Sequence, residues 1–159
     1  MKIYVLRHAI AEPRRPGLAE AKRQVTKEGE EKLARVLATA RRAGVAPSLI
    51  LTSPFLRALR TAELAAEALH SGPPATTEAL LPASSPEAVW QEIRAHREER
   101  ALMLVGHEPL LSRAVSRLLG ASWTLVTLRK GALALVEVEE FGDQPRGSLQ
   151  WLLTAKLAR

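Results

Sequence analysis

The hydrophobic period of this chain switches repeatedly between short unbroken apolar runs and stripes at helical spacing, which leaves few folds open. Ile3-Tyr4-Val5-Leu6, Leu49-Ile50-Leu51 and Leu102-Met103-Leu104-Val105 read as short buried strands. Between them, Leu33, Val36, Leu37 and Ala40 mark a helix capped at Thr26 and ending near Gly44. A second stripe, Phe55, Leu59, Ala62, Ala66 and Leu69, follows Ser53-Pro54, which predicts a Ser N-cap with Pro at the first helical position. A short strand is expected at Thr76 to Ala79, a third helix after Ser85 with Val89 and Ile93 inward, and a fourth from about Pro109. Ala132 to Val138 and Leu149 to Leu157 predict two antiparallel strands around a Gly-Asp-Gln-Pro-Arg-Gly turn region. The segment from Ala9 to Val25, with Pro13, Pro16 and Gly17, reads as a long irregular loop of the kind that often carries function. The expected architecture is a single α/β domain over residues 1–159, with a mostly parallel sheet and an antiparallel end.

Composition removes several classes of function. Without cysteine there is neither a disulfide framework nor thiolate chemistry. No apolar run is long enough to span a membrane, and Ile3 to Leu6 is too short for a signal-peptide core. A cytoplasmic protein without a membrane partner is the expectation. The net charge of +6 admits nucleic acid, an acidic surface or an anionic substrate. Its basic residues are interspersed with Glu, and three Trp, two Phe and one Tyr make a poor base-stacking platform. Nucleic acid is therefore not the expected partner. Abundant Arg, Leu, Ala, Glu and Pro with few Met is also a composition common in thermophile proteins.

Three polar segments share one expected position. Arg7-His8 follows the first strand, Ser53 to Arg57 follows the second, and Gly106-His107 follows a later one. In a parallel α/β sheet the carboxyl ends of strands lie along one edge, where ligands bind. Two His and two Arg, distant in sequence, should thus converge on one crevice. Planar, permanently charged Arg matches phosphate oxygens, and a His nitrogen can attack phosphorus to form a covalent intermediate. Phosphoryl transfer depends mostly on positioning and charge stabilisation, so such a cage can work without metal or other cofactor. Taken singly, each segment is an ordinary strand end, helix cap or turn. A His-based metal site is the competing chemistry, but His8 and His107 lack a close-spaced His, Cys or Asp partner. His70 and His96 fall near helix ends as surface residues, and Arg60 is expected to be solvated.

Leu6-Arg7-His8-Ala9, Ser53-Pro54-Phe55-Leu56-Arg57-Ala58 with Thr61, and Val105-Gly106-His107-Glu108-Pro109-Leu110 resemble the histidine phosphatase (phosphoglycerate-mutase-like) superfamily. The short length and the Ser-Pro-Phe-Leu-Arg-Ala run are most similar to its SixA-type phosphohistidine phosphatases. Arg23 with Val25-Thr26 and Gly29 resembles that group's Arg-Pro-Leu-Thr-x-x-Gly segment. The resemblance runs from the first strand to about Val138. It implies an α/β three-layer sandwich with helices on both faces. It also implies a phosphorylated His8, with Arg7, Arg57 and His107 holding the phosphoryl group. Independently of the resemblance, Ser53 at a helix start is an expected added donor.

Two departures stand out. The family's Arg-His-Gly is Arg7-His8-Ala9 here, and Ala9 excludes glycine-only backbone angles. The mutase and broad phosphatase branches carry a Glu general acid in a longer mid-chain insert. This chain has no clear equivalent; Glu78 is the candidate, with Glu12 and Glu108 behind it. An alkoxide leaving group needs an acid, whereas an imidazole, whose conjugate acid has a pKa of about 6.5, leaves more easily. The favoured substrate is accordingly a phosphohistidine in a protein. A small-molecule phosphomonoester phosphatase is the alternative, followed by a non-catalytic phosphate-binding module.

Overall fold

A computed structural model describes residues 1–158. Its elements are β1 (Lys2–Arg7), α1 (Lys27–Arg42), β2 (Leu49–Thr52), α2 (Leu56–Leu69), β3 (Ala75–Thr76), α3 (Pro86–Ala95), β4 (Ala101–Gly106), α4 (Leu110–Leu118), β5 (Leu133–Phe141) and β6 (Pro145–Leu153). They build one six-stranded sheet in the order β3-β2-β4-β1-β5-β6. The first four in that order run parallel, and β5 and β6 complete the sheet antiparallel. The predicted α/β class and the antiparallel end are as observed.

Both faces of the sheet are covered, which is why its central strands read as unbroken apolar runs. Tyr4, Leu6, Ile50 and Met103 pack beneath α1 and α2 with Leu33, Val36, Leu37 and Ala62. Ile3, Val5, Leu51 and Leu104 pack on the other face against Trp90 and Ile93 of α3 and Leu111 and Val115 of α4. Among the described residues no helix is long and apolar enough to cross a membrane.

The helix starts at Thr26 and Ser85 follow the sequence. Each side chain accepts a hydrogen bond from the N–H three residues on, at Gly29 and Ala88. The start of α2 departs from it. Phe55, not Ser53, is the N-cap, and the Ser53 hydroxyl is committed elsewhere. The third strand is shorter than expected and gives way to a 3₁₀ turn, Glu78–Leu80. At the end of the chain, Pro145 to Gly147 belong to β6 rather than to the turn, and β6 stops at Leu153 instead of Leu157. Pro145 is tolerated because β6 is the sheet's edge strand, where a missing N–H costs no ladder bond.

The long loop after β1 is irregular, as predicted, but pinned. Ala11 bridges Val25, and a 3₁₀ turn spans Glu20–Lys22. Gly29 explains the Thr-x-x-Gly spacing. A Cβ there would lie 2.3 Å from the Ile10 carbonyl oxygen, so only glycine lets α1 seat against the loop.

Candidate active site

The sheet register assembles the site. Arg7 of β1 pairs with Gly106 of β4, so His8 and His107 are the next residue on neighbouring parallel strands. The His8 N–H donates to the Gly106 carbonyl at 3.0 Å, and the Ser53 N–H donates to the Val105 carbonyl at 3.0 Å. The two imidazoles lie 5.1 Å apart between centroids.

His8 is 6% exposed. Its Nδ1 lies 2.7 Å from the carbonyl oxygen of Ala9, an acceptor only, so Nδ1 carries the proton. Nε2 is left with a lone pair, towards which Arg57 Nε–H donates at 3.3 Å. Burial pushes the His8 imidazolium down to about 4, with the Arg57, Arg7 and Lys130 charges adding to the effect against the Ala9 hydrogen bond. The ring is therefore a neutral imidazole with Nε2 unprotonated at physiological pH.

Ala9 fits this arrangement without strain. It lies outside the left-handed region, and its methyl group packs in the core beneath α1 and α2. Its N–H donates to Thr61 Oγ1 at 3.0 Å, and that hydroxyl donates to the Arg57 carbonyl at 2.6 Å. Thr61 thus ties the loop that carries His8 to the first turn of α2, which carries Arg57.

His107 is 2% exposed, and burial, followed by the His8 and Arg57 charges, pushes it down to about 3. Its Nε2 lies 2.8 Å from Ser53 Oγ, which also accepts the Phe55 N–H at 3.3 Å. With that oxygen accepting from Phe55, the Ser53 proton is free to point at Nε2. Nδ1 of His107 is buried and has no protein partner. The same holds for Nε of Arg7, whose Nη1 donates to the Leu128 carbonyl at 2.8 Å. Two buried nitrogens without a protein acceptor beside the unprotonated Nε2 of His8 suit a bound oxyanion. Phe55 supports the group edge-on to His107, with the Arg57 guanidinium 5.2 Å from its ring centre.

The cavity holding these groups measures about 480 Å³ and opens to solvent. It contains residues to which the sequence gave no role. Glu20, from the 3₁₀ turn in the long loop, pairs with Arg14 and Arg57 at 3.2 Å each and with Arg23 at 2.5 Å. Its backbone carbonyl also accepts from Arg57 Nη1 at 2.7 Å. Partial desolvation opposes ionisation, but the Arg23 hydrogen bond and the surrounding arginines win and hold Glu20 below the usual carboxylate range. Lys130 lines the rim just before Gly131, whose φ of +71° lets its N–H turn back onto the Arg7 and His8 carbonyls. No periodic pattern in the loop sequences pointed to Glu20, Arg14 or Lys130.

His8, Arg7, Arg57 and His107 all line this cavity. Ser53 sits behind His107 and has no exposed surface. Glu78 is exposed on its 3₁₀ turn, outside the cavity lining; the carboxylates that do line it are Glu20 and Glu108. Glu108 accepts the Ser112 N–H at the start of α4, and Glu12 holds Arg15 and the Gln24 N–H. Arg60 pairs with Glu30 at 2.8 Å, away from His8. Among the described residues no three His, Cys, Asp or Glu side chains come together as a metal-ligand set.

No protein-family model matches the chain. An uncharacterized protein of Picosynechococcus sp. (strain PCC 7002) is 35% identical over 111 residues, which is 69% of this chain and 67% of that protein. Among solved structures, the protein histidine phosphatase SixA complexed with tungstate superposes with a TM-score of 0.85 at 23% identity, over 98% of either chain. A protein assigned as SixA from Agrobacterium tumefaciens gives 0.82 at 23% identity, over 96% of this chain and 97% of that one. The α-ribazole phosphatase of Shigella flexneri gives 0.76 at 16% identity, over 98% and 97%. The chain thus has the histidine-phosphatase fold in its short, SixA-like form, and it belongs to one family with the Picosynechococcus protein.

Proposed function

We propose that this protein is a phosphatase that takes a phosphoryl group onto His8 Nε2 and acts on phosphohistidine in a protein. The observation that carries the proposal is the fixed tautomer of His8. Its Nδ1–H is spent on the Ala9 carbonyl, and Nε2 faces the cavity beside Arg57. In the first step the Nε2 lone pair attacks phosphorus, and the bond from phosphorus to the substrate's imidazole breaks. The departing imidazole takes a proton from solvent. Water then attacks the phosphoryl group on His8, restoring Nε2 and releasing inorganic phosphate. Arg7, Arg57 and the unpartnered Nδ1 of His107 supply donors for the equatorial oxygens in both steps. These side chains supply the charge stabilisation on their own, with no metal ion in the proposed mechanism.

The preference for P–N over P–O bonds follows from the carboxylates. Glu20 is held anionic by three arginines, so it is a poor proton donor. Glu78 is outside the cavity. A substrate whose leaving group needs no strong acid suits this cavity best. Glu108, which lines the cavity, supports the second reading of a small-molecule phosphomonoesterase, since a neutral Glu108 could protonate an alkoxide. The test is to mix the protein with a phosphohistidine substrate labelled on phosphorus, quench in base, and locate label on His8. Wild type is expected to form acid-labile phospho-His8 and His8→Ala none. Full turnover by His8→Ala, or a higher kcat/KM for a phosphomonoester than for phosphohistidine, overturns the proposal.

A further inference from the structure

Many basic side chains of this protein meet a carboxylate. Arg60 pairs with Glu30, Arg117 with Glu87 and Arg146 with Glu140, while Glu20 gathers three arginines. One hollow is different. It measures about 450 Å³ and is lined by Arg7, Lys32, Arg35, Arg129, Lys130 and Lys156, with no carboxylate in its lining. Among the described residues, Lys32 alone of these six has an ion pair, with Glu28. The whole chain carries +6, and six of its basic side chains gather around this one groove with no carboxylate lining it.

The groove adjoins the catalytic cavity, with Arg7 and Lys130 lining both. Its other cations come from separate elements: Lys32 and Arg35 from α1, Arg129 from the segment before β5, and Lys156 from the segment after β6. Arg35, Arg129, Lys130 and Lys156 are exposed. Nothing within it resembles the buried, hydrogen-bonded cage around His8. Three of its six cations are lysines, flexible point charges that pair with carboxylates without demanding one geometry. A small monophosphate seated at His8 would leave this groove unused.

We propose that the groove docks an acidic segment of the phosphorylated protein, beside the phosphohistidine that enters the catalytic cavity. The inference rests on the phosphohistidine reading and adds the partner's charge to it. Dispersed exposed cations of this kind raise encounter rates and choose among partners, and salt screens them.

The test uses synthetic peptides carrying one histidine flanked by Glu, by Gln or by Lys. Binding of the unphosphorylated, fluorescein-labelled forms is followed by anisotropy, and hydrolysis is followed on the phosphorylated forms and on free phosphohistidine. At low salt the Glu peptide should bind at least about tenfold tighter than the Gln peptide, with the gap closing near 0.5 M salt. Arg35→Glu with Lys156→Glu should abolish that preference while leaving kcat/KM on free phosphohistidine unchanged; Arg129→Glu is an independent second variant. The proposal is overturned if wild type shows no preference, if the variants keep it, or if they lose activity on free phosphohistidine to the same extent. Binding of pyrophosphate, measured by calorimetry, without any binding of the Glu peptide would make the occupant a polyphosphate and also overturn it. Binding of the Glu peptide without hydrolysis of any phosphohistidine leaves the basic docking groove standing and removes the catalytic reading.

Discussion

Two neutral, buried histidines side by side make the stability of this protein depend on pH in a calculable way. His8 and His107 are held at about 4 and about 3, whereas in the unfolded chain each returns to about 6.5. Folded-state values that lie below the unfolded ones mean that the unfolded chain binds more protons. The stability is complete above pH 6.5 and is lost as pH falls through a window from 6.5 to about 4 for His8 and to about 3 for His107. At pH 5 the unfolded chain gains about 1.5 pKa units per histidine, which is about 2 kcal/mol each and about 4 kcal/mol for the pair. That is a large share of a net stability of about 5–15 kcal/mol. Urea unfolding, followed by tryptophan fluorescence at pH 7 and pH 5 in phosphate-free buffer, measures the loss. The control is the double variant His8→Asn with His107→Gln, which keeps polar side chains and removes the titration. Wild type should lose about 4 kcal/mol more than the variant between the two pH values. Equal losses in the two proteins would show that the imidazoles are not buried in neutral form, and the account of a ready nucleophile would fall with them.

Ser53→Ala removes the hydroxyl that meets both His107 Nε2 and the Phe55 N–H in a site with no solvent exposure. It should cost about 1–3 kcal/mol by urea unfolding and lower kcat about tenfold or more by releasing His107; an unchanged kcat would detach Ser53 from the site. Gly29→Ala places a methyl group 2.3 Å from the Ile10 carbonyl oxygen, where backbone rather than a flexible side chain must yield. A loss of about 1–3 kcal/mol is expected by thermal unfolding, against no change for Gly72→Ala, which meets open space.

The sequence on its own carried a good part of this. Unbroken apolar runs announced strands buried on both faces, and their ends could be read to within a residue. A parallel sheet aligns its carboxyl ends, so Arg7-His8, Arg57 and His107 could be sent to one crevice before any coordinates were known. Local chemistry also placed the caps at Thr26 and Ser85, because a cap is settled by residues three apart.

What the sequence could not determine are relations between residues far apart in the chain. Opposing Arg7 and Gly106, which puts the two imidazoles side by side, is a property of strand register. The Ser53 hydroxyl reads locally as a helix cap and is taken instead by His107, fifty-four residues away. Glu20 lies in a loop without periodicity, yet three arginines meet on it. The tautomer of His8 depends on a carbonyl whose direction is fixed by Thr61 holding the Ala9 N–H. Net charge is visible in composition, but the meeting of six cations around one groove appears only when helix, strand ends and loops are packed together. Propensity and patterning act over a few residues and choose the elements; packing and long-range hydrogen bonding choose which atoms meet, and the chemistry of this site consists of such meetings.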